Sequence, residues 1–343
     1  MDFSEQKIKT GYLFLFILLL TMISAQIISD RTIQSNVDRR INIQDSIENG
    51  LSEAPYQYRV VKTILGNAVE LIVSKFERDL EDSHVISYHI VIFIVFFAIY
   101  SLLFYYLRMM FSDKTCMIGL LLLQILIPLG ITSIWEEGDY ITLLFYLIGF
   151  ILMFKHKDQY LLLVIFIGTF NRDQIIFLVV FYVAFLIWEK RLFTKRSIAI
   201  IVMLFIAYFA AYMSLRIYYG FRENKYVTEI QTSTNIAHWD EILGLWIEQV
   251  FVFVILAAFA FKKSNLFFKI SLLSLILYVG IFFFNSIMSQ VAKILPAYLI
   301  LIPMSLQMLS GEKMKYFNEP ISDDQSVPQN SWNYFNFFIF LLN

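Results

Sequence analysis

A single cysteine, Cys116, in 343 residues excludes a disulfide framework and any metal site built from several thiolates. The four histidines, His84, His89, His156 and His238, are too scattered to suggest a zinc cluster. Charged residues are only 16% of the chain and the net charge is -1, which gives no ground for a nucleic-acid partner. The chain has no Gly-rich phosphate loop, Ser/His/Asp arrangement or Walker-type motif, so nucleotide-driven chemistry is not expected. Internal repeats and low-complexity tracts are absent too.

What the chain has in abundance is apolar surface. Hydrophobic residues make up 59% and the mean hydropathy is +0.66. A soluble domain sits at roughly 45–50% apolar, so composition alone predicts an integral membrane protein. A span needs about 20 apolar residues, and the first such run covers residues 11–28. It has no convincing small-residue cleavage site, and more spans follow, so it is read as a retained helix. Further spans are predicted at 90–110, 117–134, 140–154, 160–170, 175–188, 198–215, 250–261, 266–287 and 294–309. That is an all-α, multi-pass protein of about ten helices. The pair 160–170 and 175–188 is short enough to dip incompletely into the bilayer.

Basic residues set the orientation. With both termini cytoplasmic, the inner segments carry an excess of six positive charges and the outer segments an excess of seven negative ones. Residues 1–310 form the membrane domain, and 311–343 a cytoplasmic tail whose aromatic run at 332–342 rests at the interface. The expected location is the plasma (inner) membrane. The long loops at 30–87 and 219–249 then face outward.

The first outer loop has structure of its own. Val61, Ile64, Leu65, Ala68, Ile72, Phe76 and Leu80 recur at helical spacing among charged residues, which predicts a helix lying along the membrane surface. A weaker helix is expected over 31–49, ending at Gly50 as a C-cap. Pro55 disfavours helix at Ala54 and so places a break there.

The segment "PYQYRVV" at 55–61 resembles a motif that follows the first outer-loop helix in a large group of bacterial membrane proteins. These are distantly similar to the glycosyltransferase C (GT-C) superfamily. "GDYITLLFYLIGF" at 138–150 resembles that group's acidic residue at the outer start of a middle helix. "GTFNRDQIIFL" at 168–178 resembles its Asn-Arg-Glu-Thr motif, with Asp173 and Gln174 replacing Glu and Thr. "QVAKILPAYLILIP" at 290–303 resembles a closing segment that usually reads Glu-x-Arg; Gln290 and Lys293 stand there instead. The resemblance covers residues 10–310. It implies a helical scaffold with a cavity under the first outer loop and transfer of a sugar from a polyprenyl-phosphate donor to a glycan, lipid or protein acceptor, with a loop carboxylate as base.

The chemistry itself asks for similar residues. A carboxylate must deprotonate the acceptor hydroxyl, and cations must hold the phosphate, where Arg offers a bidentate fork. Asp38 and Asp45 are the loop acids read as base, against the alternative of a solvated helix face. Arg59, Arg172 and Lys293 are the phosphate candidates, with Tyr56, Tyr58, Asp139, Asn171 and Asp173 supporting. Arg59, Tyr56 and Tyr58 equally suit interfacial anchoring, and Arg172 with Asp173 an ion pair locking a tight turn. No cofactor is expected, and no spacing supports a divalent cation between Asp139 and Asp38 or Asp45. Partners are the lipid-linked donor, the acceptor and membrane lipids. A transporter or flippase, or a polymerase of lipid-linked oligosaccharides, is the alternative; transporters favour mid-span charges and inverted repeats.

Overall fold

The structure is a computed structural model that describes residues 9–224 and 227–314. Most of the expected tail, with its aromatic run at 332–342, lies outside the described residues, as do Lys7 and Lys315. The chain is helical, with no strand among the described residues.

In order, the helices are α1 (Thr10–Thr32), α2 (Val37–Glu48), α3 (Val60–Val73), α4 (Leu80–Arg108), α5 (Asp113–Gly130), α6 (Gly138–Phe154) and α7 (Leu161–Thr169). They continue as α8 (Phe177–Trp188), α9 (Lys195–Tyr219), α10 (Thr228–Ala237), α11 (Trp239–Trp246), α12 (Val252–Ala260), α13 (Leu266–Asn285) and α14 (Tyr298–Ser310). Among the described residues, eight stretches are long and apolar enough to cross a membrane, which makes this a multi-pass membrane protein. The two remaining apolar stretches, Asp158–Thr169 and Asp173–Trp188, are shorter, and they are the pair expected from sequence to dip.

Local chemistry sets the helix ends. Asp79 caps α4, its Oδ1 accepting from the backbone N–H of Glu81 at 2.9 Å and Asp82 at 3.1 Å. This cap starts α4 ten residues before the predicted span. It also cuts the expected surface helix short, so α3 stops at Val73. After α2, Gly50 adopts φ +65°, the left-handed turn anticipated there.

The core sits between α4, α6 and α14. The stretch Val291–Ser310 is the most enclosed of the eight, with 89% of its span buried, while Lys195–Tyr219 is the most peripheral at 17%. A polar cluster ties three helices together inside the bundle: Ser24 Oγ lies 2.6 Å from Tyr100 Oη, and both bond Gln124 Oε1. Such interhelical hydrogen bonds replace the hydrophobic drive that lipid removes.

The outer loop packs on the core through one side of α3. The buried residues of α3 are Val60, Thr63 and Gly66, while Ile64, Leu65, Leu71 and Ile72 of the apolar face are exposed. Gly66 is what permits the contact with α4, since a Cβ there would come within 2.4 Å of the Tyr88 ring. The apolar face of α3 is therefore left to lipid, in keeping with a helix on the membrane surface.

Candidate functional site

The turn between α7 and α8 is the hub of the site. Phe170 offers its backbone carbonyl to the first N–H groups of α3, from Val60 at 2.9 Å and Val61 at 3.4 Å. These are orphan donors at a helix start, and a carbonyl from a distant segment satisfies them. The "PYQYRVV" and "GTFNRDQIIFL" segments are thereby held edge to edge.

Three acids crowd the start of α6, and each has its own partner. Glu136 is a cap: its Oε2 accepts from the N–H of Thr132 at 2.7 Å and Ser133 at 2.9 Å. Glu137, 1% exposed, lies 3.2 Å from Arg40 Nε and contacts Lys62 Nζ. Asp139, fully buried, lies 3.0 Å from Arg172 Nη2. Arg172 also donates to the Trp135 carbonyl at 3.0 Å, and its Nε approaches so closely that a Cβ at Gly138 would lie 3.1 Å from it. Asn171 Nδ2 donates to the Gly138 carbonyl at 2.9 Å and to Thr142 Oγ1 at 2.8 Å, fixing the turn.

The alternative of an ion pair between Arg172 and Asp173 is not what the turn adopts. Consecutive residues in this turn point apart, and Asp173 instead meets Arg216 of α9, 3.6 Å away. The Arg216 guanidinium stacks over the Tyr58 ring at 4.3 Å. Tyr58 in turn donates to the Gly220 carbonyl at 2.8 Å, so its side chain is a buried strut between the two outer loops.

A cavity of about 300 Å³ opens where these parts meet. Tyr56, Tyr58, Arg59, Arg172, Asp173 and Lys293 all line it, with Phe177, Ile281 and Phe282 supplying an apolar wall. Four segments read from sequence as separate motifs thus converge: three line the cavity, and Asp139 lies against Arg172 in its wall. Arg59 is half-buried with its guanidinium 5.1 Å from the Tyr56 ring, and among the described residues no acidic side chain pairs with it. Burial, then the neighbouring Arg172, lowers its pKa to about 10, so it stays cationic at neutral pH. Lys293 is buried and contacts Ser286 Oγ, again with no acidic partner among the described residues.

Asp38 and Asp45 are placed elsewhere. On α2 the positions Arg40, Gln44 and Ile47 face inward, which turns Asp38 and Asp45 to solvent, and neither lines the cavity. Asp139 is fully buried, whereas both of these acids are exposed. The acid facing the cavity is Asp173, whose side chain is 45% exposed.

Sequence reasoning missed Arg40, Lys62, Glu137 and Arg216. The signal for Arg40 was present, since it shares the i, i+4, i+7 face of α2 with Gln44 and Ile47. A second, smaller cavity of about 40 Å³ lies beside the first, lined by Arg59, Lys62, Asn171 and Arg172 among others. Burial and the neighbouring arginines push the Lys62 ammonium well below its ordinary 10.5, against the pull of the Glu137 carboxylate it touches.

No family model matches the chain, and no curated protein or solved structure matches it either.

Proposed function

We propose that the protein is a membrane glycosyltransferase, similar in plan to the GT-C superfamily, that takes a sugar from a polyprenyl-phosphate-linked donor on the extracytoplasmic face. The observation that carries this reading is the cavity in which Arg59 and Lys293, two cations without acidic partners among the described residues, face an apolar wall. Enclosed cations without a counter-ion are costly and call for an anion. The wall of Phe177, Ile281 and Phe282 suits a prenyl chain. Asp173 replaces Asp38 and Asp45 as the base, because it lines the cavity and they are on the solvent side of α2.

In the reaction, an acceptor hydroxyl oxygen attacks the anomeric carbon while the bond from that carbon to the phosphate oxygen breaks. The phosphate keeps the bonding electrons, and the hydroxyl proton passes to Asp173. Arg59, Arg172 and Lys293 stabilise the charge that grows on the leaving phosphate. General-base help of this kind is worth roughly 10²–10⁴-fold. The charges cluster at one end of the bundle, beside helix termini, which favours an enzyme over a flippase.

The test uses two assays on full-length variants: binding of farnesyl phosphate to protein in nanodiscs, and glycan synthesis in cells. Arg59→Gln, Arg172→Gln and Lys293→Gln should weaken binding, whereas Asp173→Asn should keep binding and abolish synthesis. Wild-type binding and synthesis in all four variants would overturn the proposal.

A further inference from the structure

We infer that the small cavity beside the large one is a second phosphate subsite, so that the lipid donor carries a diphosphate. This rests on the donor reading above and sharpens it. Tyr56, Arg59, Trp135 and Arg172 belong to the walls of both cavities, so an anion held by the two arginines in the large cavity adjoins the small one. The small cavity, about 40 Å³ against about 300 Å³, is much the smaller of the two and suits a compact group.

Its lining has the chemistry of an anion site. Lys62 adds a third cation to Arg59 and Arg172. Arg172 is 5% exposed, and its Nε has no hydrogen-bond partner. Behind the cavity, Arg40 and Lys62 share the one carboxylate of Glu137. Around both cavities, the six cations Arg40, Arg59, Lys62, Arg172, Arg216 and Lys293 face the four acids Glu136, Glu137, Asp139 and Asp173. A diphosphate diester carries two negative charges and a phosphate diester one, so the cation that Lys62 adds favours the diphosphate. On transfer, the bond from the anomeric carbon to the proximal phosphate oxygen breaks, and the lipid diphosphate departs with the electron pair.

The experiment compares farnesyl diphosphate with farnesyl phosphate on the full-length protein in nanodiscs, above the last phosphate pKa. The wild type should bind the diphosphate about tenfold to a hundredfold more tightly, the worth of one more charge-assisted contact. Lys62→Gln should remove that preference and leave farnesyl phosphate binding unchanged. Ile43→Trp, which fills the small cavity from α2 and leaves every charge in place, should do the same. If the wild type shows no preference, or if both variants weaken the two ligands alike, the small cavity holds only water and the subsite is overturned. If neither ligand binds at all, it is the donor reading that fails.

Discussion

The buried Asp139–Arg172 pair offers the strictest test of how the site is held. The two groups are 0% and 5% exposed and 3.0 Å apart. At that separation the attraction is about 5 kcal/mol with an effective dielectric of 20. Much of it is offset by the cost of removing both charges from water. Removing one partner therefore costs more than removing both. Asp139→Leu leaves the guanidinium with only the Trp135 carbonyl, and Arg172→Met leaves the carboxylate with a 3.4 Å contact from Gln174 Nε2. Each single change should destabilise by about 3–5 kcal/mol, since each leaves an uncompensated buried charge. The double variant should lose only about 1–2 kcal/mol, chiefly for the Trp135 carbonyl left without its donor. Unfolding in mixed micelles titrated with a denaturing detergent, followed by tryptophan fluorescence, gives all four stabilities and hence the coupling energy. If the two single losses simply add in the double variant, the pair is not a mutually dependent unit and the account of the turn is wrong.

Gly138→Ala places a methyl group against Arg172 Nε and should tilt the guanidinium; weaker farnesyl phosphate binding, with a stability loss smaller than the about 3–5 kcal/mol of removing the arginine, is the expected signature. Gly66→Leu should separate α3 from Tyr88 and destabilise by about 1–3 kcal/mol as overpacking does, which the same unfolding titration reads. Above the last phosphate pKa the probes keep their charge, while burial holds the Lys62 ammonium well below its ordinary 10.5 and Arg59 at about 10. Loss of a cation weakens anion binding, so diphosphate affinity should fall with rising pH ahead of monophosphate affinity; a parallel fall would count against Lys62 in the small cavity. Asp38→Asn and Asp45→Asn change exposed groups and should alter stability by less than about 0.5 kcal/mol, with glycan synthesis intact.

Much of the architecture was legible because membranes demand long apolar runs. The short pair flanking Asn171–Asp173 could be read from length alone. Helix starts were less visible: the Asp79 cap moved α4 ten residues, and a run of charge at 77–82 hid it. Charge in a sequence says nothing of its partner. Glu136, Glu137 and Asp139 look like one acidic cluster, yet a capping box, an Arg–Lys pair and a turn arginine take one each. Asp38 and Asp45 appealed because they lie in the right loop, but helical periodicity around Arg40 turns them outward. Arg172 and Asp173 are neighbours in sequence and belong to different ion pairs, because an extended residue sends successive side chains to opposite sides.

The hydrogen bonds that join Phe170 to the start of α3 run between main-chain atoms. The geometry of this joint is thus written in a form that almost any amino acid spells equally well. Substitution at Val60, Val61 or Phe170 can change packing nearby, but only proline deletes one of the donors. The distance from Arg59 to Arg172 is set across this joint, so the spacing of the two cations is insulated from drift in the residues that connect them. A descendant of this chain could lose every side chain quoted for its motifs and still bring the same two loops together.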